Sequence, residues 1–197
     1  MKRSPKQANN KSKAEGLAME QIILVDEQDR EVGTGEKIQT HREGALHRAF
    51  SIFVFDLRGR LLLQKRARSK YHSGSLWSNT CCGHPRPGEQ TEAAARRRLR
   101  EEMNFTCDIR KAFDFIYKVE FSSDLYEHEY DHVFIGLFDG DPLPSESEVE
   151  EWKWIEPEEL ISDMRSRPES YTHWFKVAIE RVLALFGSQI KPALPQA

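Results

Sequence analysis

The sequence predicts an α/β fold of the α+β type, a mixed β-sheet with helices packed on its faces. Three observations carry that prediction. β-branched and aromatic runs come early and return in the middle of the chain, a segment rich in helix formers separates them, and a strongly amphipathic stretch closes the sequence. Composition agrees: 197 residues with 39% hydrophobic and 31% charged side chains fit one domain with its own core, not a disordered or membrane-spanning chain. The formal net charge of −3 speaks against nucleic acid as a partner, so any anion must be bound by a local cluster.

In order along the chain, residues 1–19 are basic and polar without an apolar stretch, the pattern of a disordered tail and not of a signal peptide. Residues 20–187 are expected to form the domain, and 188–197 a flexible C-terminal tail. Gln21 to Asp26 read as a strand, followed by a turn and a polar segment that carries His41 and His47. Ala49 to Asp56 and Leu61 to Ala67, joined by "RGR", read as a hairpin. Glu89 to Met103 read as a helix with Ala95, Leu99 and Met103 as its inward stripe. Phe113 to Phe121 and Glu129 to Asp139 read as strands. Pro157 and the acids after it open a helix, and Glu169 to Phe186 form the amphipathic one. There is no internal repeat.

Two motifs carry chemistry. In "SNTCCGHP" the thiols of Cys81 and Cys82 are adjacent, which fits neither a zinc knuckle nor a Cys-x-x-Cys redox pair. A chemically active thiol, or two buried small apolar residues, both remain open. With three cysteines in all, a disulfide framework is not expected, and a reducing, cytoplasmic compartment is. In "YEHEYDHVF", Glu127 and Glu129 lie two apart, on one face of a strand that Val133, Ile135 and Leu137 continue as apolar. Buried carboxylates require a cation beside them.

The run from Gly83 through Glu89, Arg97, Arg98, Glu101 and Glu102 resembles the Nudix box, which carries Mg²⁺ and a diphosphate. It departs at Arg98, where the box has Glu, and at Asn104, where it has Gly. A guanidinium cannot ligate a metal but donates a forked pair of hydrogen bonds to phosphate. Arg98 and Glu102, four apart, share a helix face suited to binding a diphosphate without cutting it.

Together, "GEKIQTHREGALHRAFS", "KRARSKYHSGSLWSNTCCGHP", the altered box, "YEHEYDHVF" and "HWFKVAIE" resemble the type 1, Nudix-fold isopentenyl-diphosphate delta-isomerases over roughly residues 21–186. One departure is "HSGSLW", where many members have Pro-Gly before the tryptophan. The resemblance implies interconversion of isopentenyl and dimethylallyl diphosphate, by protonation of the alkene and proton loss from a tertiary carbocation. It implies Cys82 and Glu129 as the acid–base groups, with Tyr117 beside Glu129 and Trp174 facing the cation. His41, His47, His84, Glu127 and Glu129 would hold one divalent metal (Mn²⁺, Mg²⁺ or Zn²⁺). A second ion, Mg²⁺, would lie between the diphosphate, Glu102 and the Cys82 carbonyl. Lys37, Arg66, Lys70 and Arg98 would bind the phosphates. The partner expected is a small-molecule diphosphate, with no nucleic acid and no membrane, and the chain a monomer or weak homodimer. The same motifs also describe a diphosphate hydrolase or a silent Nudix binding module, but Arg98 argues against the first, and the second leaves the thiol and the ligand set without a purpose.

Overall fold

A computed structural model describes residues 20–121 and 124–190. The expected N-terminal tail lies outside these residues, as does 191–197 of the expected C-terminal one. The elements, in order, are β1 (Gln21–Val25), β2 (Glu31–Glu36), α1 (Lys37–Glu43), β3 (His47–Phe55), β4 (Leu61–Arg66), β5 (Trp77–Ser78), β6 (Cys81–Gly83) and α2 (Thr91–Met103). Then come β7 (Ile109–Phe121), β8 (Leu125–Leu137), β9 (Val149–Ile155), α3 (Pro157–Ser166) and α4 (His173–Leu185), the last continued by a π-helical turn to Ile190.

The nine strands join in one mixed sheet centred on β3. On one side β3 runs parallel to β8 from His47↔Glu129 to Phe55↔Leu137. On the other it meets β1, β4 and β6 antiparallel. β-Branched and aromatic residues dominate β3, and their period of two separates the faces. Phe53 and Phe55 pack toward Phe175, Ile179 and Val182 of α4, while Phe50, Ile52 and Val54 pack toward Ala95, Leu99 and Met103 of α2. Helices therefore cover both faces, as expected, and the α2 stripe is buried as read.

Three expectations need correction. The hairpin is tight only at its turn: β3 and β4 pair at Phe55↔Leu61 and then part. The wedge is Thr80, whose hydroxyl accepts from Val54 N (2.9 Å) and donates to Leu62 O (2.7 Å), and β4 takes its ladder from β9 instead. The polar segment after β1 contains β2 and α1. α1 is held by Glu36, which accepts from the Ile38 and Gln39 amides, and by Gly44, left-handed at φ 62°. Finally, α4 begins at His173 instead of Glu169. Pro168–Ser170 form a 3₁₀ turn, Tyr171 bridges to Trp77, and Thr172 N donates to Trp77 O at 2.9 Å, so those residues are spent on the sheet.

The departure at Asn104 has a physical account. It caps α2 in the left-handed conformation, φ 57°, with its amide bonded to Arg100 O. Asparagine is the residue that replaces glycine there at least cost.

Candidate active site

The strand register assembles the site. β8 sets Glu129 beside His47 of β3 and opposite Tyr117 of β7, whose hydroxyl donates to Glu129 Oε2 at 2.7 Å. α1 brings His41, and the turn after β6 brings His84. One donor atom from each of His41, His47, His84, Glu127 and Glu129 lies within 4.8 Å of every other, and all five residues are buried. The strand face read from "YEHEYDHVF" is thus turned inward. It also carries Asp131, which no motif in the sequence marks. This residue is fully buried, accepts from Ser51 Oγ at 2.7 Å, and is held well above the usual carboxyl range by burial and then by the charge of Glu129.

The chemistry of this cluster fits a metal ion. His41 Nδ1 donates to Lys37 O (2.6 Å) and His47 Nδ1 to Ala45 O (2.9 Å), which leaves the Nε2 lone pair of each facing the cluster. His47 Nε2, His84 Nδ1 and Glu127 Oε2 are buried without hydrogen-bond partners. Burial pushes Glu127 up, but the neighbouring imidazoles of His41 and His72 outweigh it and hold the carboxyl well below its usual range. Glu129 is likewise lowered, against burial and the charge of Glu127, by His47 and His84. Burial drives His84 well below its usual value, so it is a neutral imidazole. Imidazole nitrogens with ionised carboxylates are the donor set a divalent cation takes.

A cavity opens beside this cluster. Lys37, Arg66, Lys70, Arg98, Glu102, Cys82, Tyr117 and Trp174 all line it, so every residue expected at the site is brought together. Cys82 lies across β3 from Glu129, because β6 and β8 flank that strand on opposite sides. Burial pushes its thiol up to about 12, against the nearby charge of Arg66, whose Nη1 is 3.7 Å from Sγ. Cys81 instead points into the α2 core. Trp174 is buried, and its Nε1–H donates to Ser78 Oγ and Asn79 Oδ1 (each 3.1 Å).

Four polar side chains of the lining were not foreseen: Glu20, Tyr71, His72 and Glu148. Glu20 pairs with Lys37 at 2.9 Å. Glu148 pairs with Lys70 and stands 3.3 Å from Arg98, which also binds Glu102 at 2.5 Å. Carboxylates thus hold the amines and the α2 guanidinium of the basic cluster. No spacing rule reaches Glu148, which lies on the loop entering β9.

The NUDIX domain model matches residues 45–175. The isopentenyl-diphosphate Delta-isomerase 2 of Aromatoleum aromaticum is 55% identical over 84% of this chain and 87% of its own. That of Burkholderia multivorans is 54% identical over 82% of this chain and 92% of its own. The chain belongs to the isopentenyl-diphosphate Delta-isomerases, within the Nudix family. Solved structures agree on the fold: one from Deinococcus radiodurans gives a TM-score of 0.67 at 22% identity, covering 84% of this chain and 98% of its own. A MutT protein from Methanosarcina mazei gives 0.59 at 18% identity, over 73% of this chain and 96% of its own. Among the described residues no helix is long and apolar enough to cross a membrane.

Proposed function

We propose that this isomerase interconverts isopentenyl and dimethylallyl diphosphate with Cys82 and Glu129 as its two proton-carrying groups. The observation that carries the reading is their placement: a half-buried neutral thiol and a buried carboxylate line one cavity from strands on either side of β3. An allylic shift of a double bond needs one proton delivered and another removed, hence two such groups facing one substrate.

In this protonation state Cys82 gives the proton and Glu129 takes one, and the reverse reaction exchanges their roles. A thiol at about 12 is a weak acid toward an alkene. The Arg66 guanidinium offsets this by favouring the thiolate that the transfer leaves behind. Tyr117, kept as a hydroxyl by burial and the charge of Glu129, donates to that carboxylate and fixes its orientation. Trp174 presents a π face to the cationic carbon, which no water or lone pair should reach. Lys37, Arg66, Lys70 and Arg98 bind the diphosphate, and Lys37, Lys70 and Arg98 exchange their carboxylate partners for phosphate oxygens. The helix position where the Nudix box has Glu is Arg98 here, which supports binding of the diphosphate over its hydrolysis.

His41, His47, His84, Glu127 and Glu129 would hold a divalent ion (Mn²⁺, Mg²⁺ or Zn²⁺), and Glu102 with the Cys82 carbonyl a diphosphate-bound Mg²⁺. When bound, these ions supply positive charge that lowers the proton affinity of Glu129 and neutralises the diphosphate. The reading is that of a cytoplasmic enzyme, a monomer or weak homodimer, acting on a small molecule.

The two thiols provide the test. With isopentenyl diphosphate as substrate, Cys82→Ala should lose turnover while keeping its fold. Cys81→Ala should stay active and lose stability on the order of 1 kcal/mol. Equal activity in the two variants would remove Cys82 from the mechanism.

A further inference from the structure

The loop that departs from its family's pattern brings a fourth histidine to the metal cluster. His72, in "YHSGSLW", is not one of the five clustered residues, yet its Nε2 lies 2.7 Å from Glu127 Oε1. That is closer than the 3.5 Å to His41 Nε2. The ring is fixed on several sides. It stacks on Phe121 (centroids 5.1 Å apart, planes at 17°) and meets Tyr71 and Trp174 edge to face. Its Nδ1 lies 3.2 Å from Ser73 Oγ, a hydroxyl able to donate to it. With Nδ1 as acceptor, the ring proton is on Nε2 and points at the carboxylate.

The two oxygens of Glu127 are therefore unlike. Oε1 receives His72, whereas Oε2 is buried with no hydrogen-bond partner. We propose that His72 is a positioning residue of the metal centre: its Nε2–H holds one oxygen of Glu127 and leaves the other to the cation. The same ring, edge-on to Trp174 at 5.9 Å, fixes the wall where the hydrocarbon would lie. Outer hydrogen bonds of this kind orient a ligand before the metal arrives, and their loss typically costs 10–100-fold in affinity.

This inference rests on the metal-centre reading above, and the experiment separates the two. Mn²⁺ affinity is measured on the full chain by competition with a chelator, for the wild type, His72→Phe and His72→Gln. Phenylalanine keeps the stacking without the donor, and glutamine keeps an N–H without the ring. His72→Phe should bind Mn²⁺ about 10–100-fold more weakly, and His72→Gln should recover most of the loss. Spin-echo spectroscopy of the bound Mn²⁺ should count the three clustered imidazoles, His41, His47 and His84, in wild type and variants alike. Unchanged affinity in His72→Phe, or a glutamine variant as weak as the phenylalanine one, would overturn the positioning role. So would a fourth imidazole in the wild type, since His72 would then itself be a ligand. A wild type that binds no Mn²⁺ would remove the metal centre, and this inference with it.

Discussion

Trp174 belongs both to the buried core and to the cavity wall. Its indole N–H is held by Ser78 and Asn79, and its ring already accepts a cation, the Arg66 guanidinium, 5.2 Å from the centroid. An aromatic near the start of an amphipathic helix ordinarily only packs, and Trp174 does join the α4 core. A desolvated cation–π contact contributes about 2 kcal/mol or more, and each ~1.4 kcal/mol of barrier is tenfold in rate. The carbocation has its charge only near the transition state, so the loss should fall on kcat more than on KM. Trp174→Phe should keep part of the activity, and Trp174→Leu, apolar but without a π face, should lose far more. Steady-state kinetics on protein shown folded by circular dichroism decides it, and equal kcat values for the two would leave Trp174 a packing residue only.

At the level of elements, the segment Ser78–Gly83 matters most, because it prises β3 from β4 and delivers Cys82 into the gap. Asn79 is its anchor. Fully buried, it donates to Ile52 O and Cys81 O and accepts from Ser78 and Trp174. Asn79→Ala should strand several buried polar groups, each worth about 1–3 kcal/mol. Urea denaturation should then show a loss of at least about 2 kcal/mol, together with reduced kcat as Cys82 and Trp174 loosen. Stability within ~0.5 kcal/mol of wild type would mean the wedge is not what holds the loop. None of this insertion was legible in the sequence, since a side chain bridging two strands leaves no local pattern. The inward stripe of α2 and the alternation of β3 were legible because burial follows their periods. α1 was not, because its buried face is His41 and Thr40, a polar core that no hydrophobic periodicity marks.

Over the whole molecule, the five clustered donors come from α1, β3, the turn after β6, and β8, and only the folded sheet closes them into one cluster. Their spacing in sequence was uninformative, and resemblance to a family made them legible; His72, Glu20 and Glu148 lay beyond both. A site that exists only in the folded chain links metal binding to stability. Mn²⁺ at a hundred times its dissociation constant should add ~2.7 kcal/mol, or about 5–10 °C in Tm for a chain of this size. Excess chelator should reverse the shift, and His41→Ala should abolish it. A Tm indifferent to Mn²⁺ would contradict a preformed centre.

An isomerase on a Nudix fold must grip a diphosphate and move a proton instead of cutting a phosphate bond. Incubation with isopentenyl diphosphate in D₂O, followed by ¹H, ²H and ³¹P NMR, tests this most directly. Deuterium should enter the methyl group of newly formed dimethylallyl diphosphate, with the diphosphate intact. Release of phosphate from this or a nucleoside diphosphate at about 1 s⁻¹ or faster, with no deuterium in the product, would contradict it.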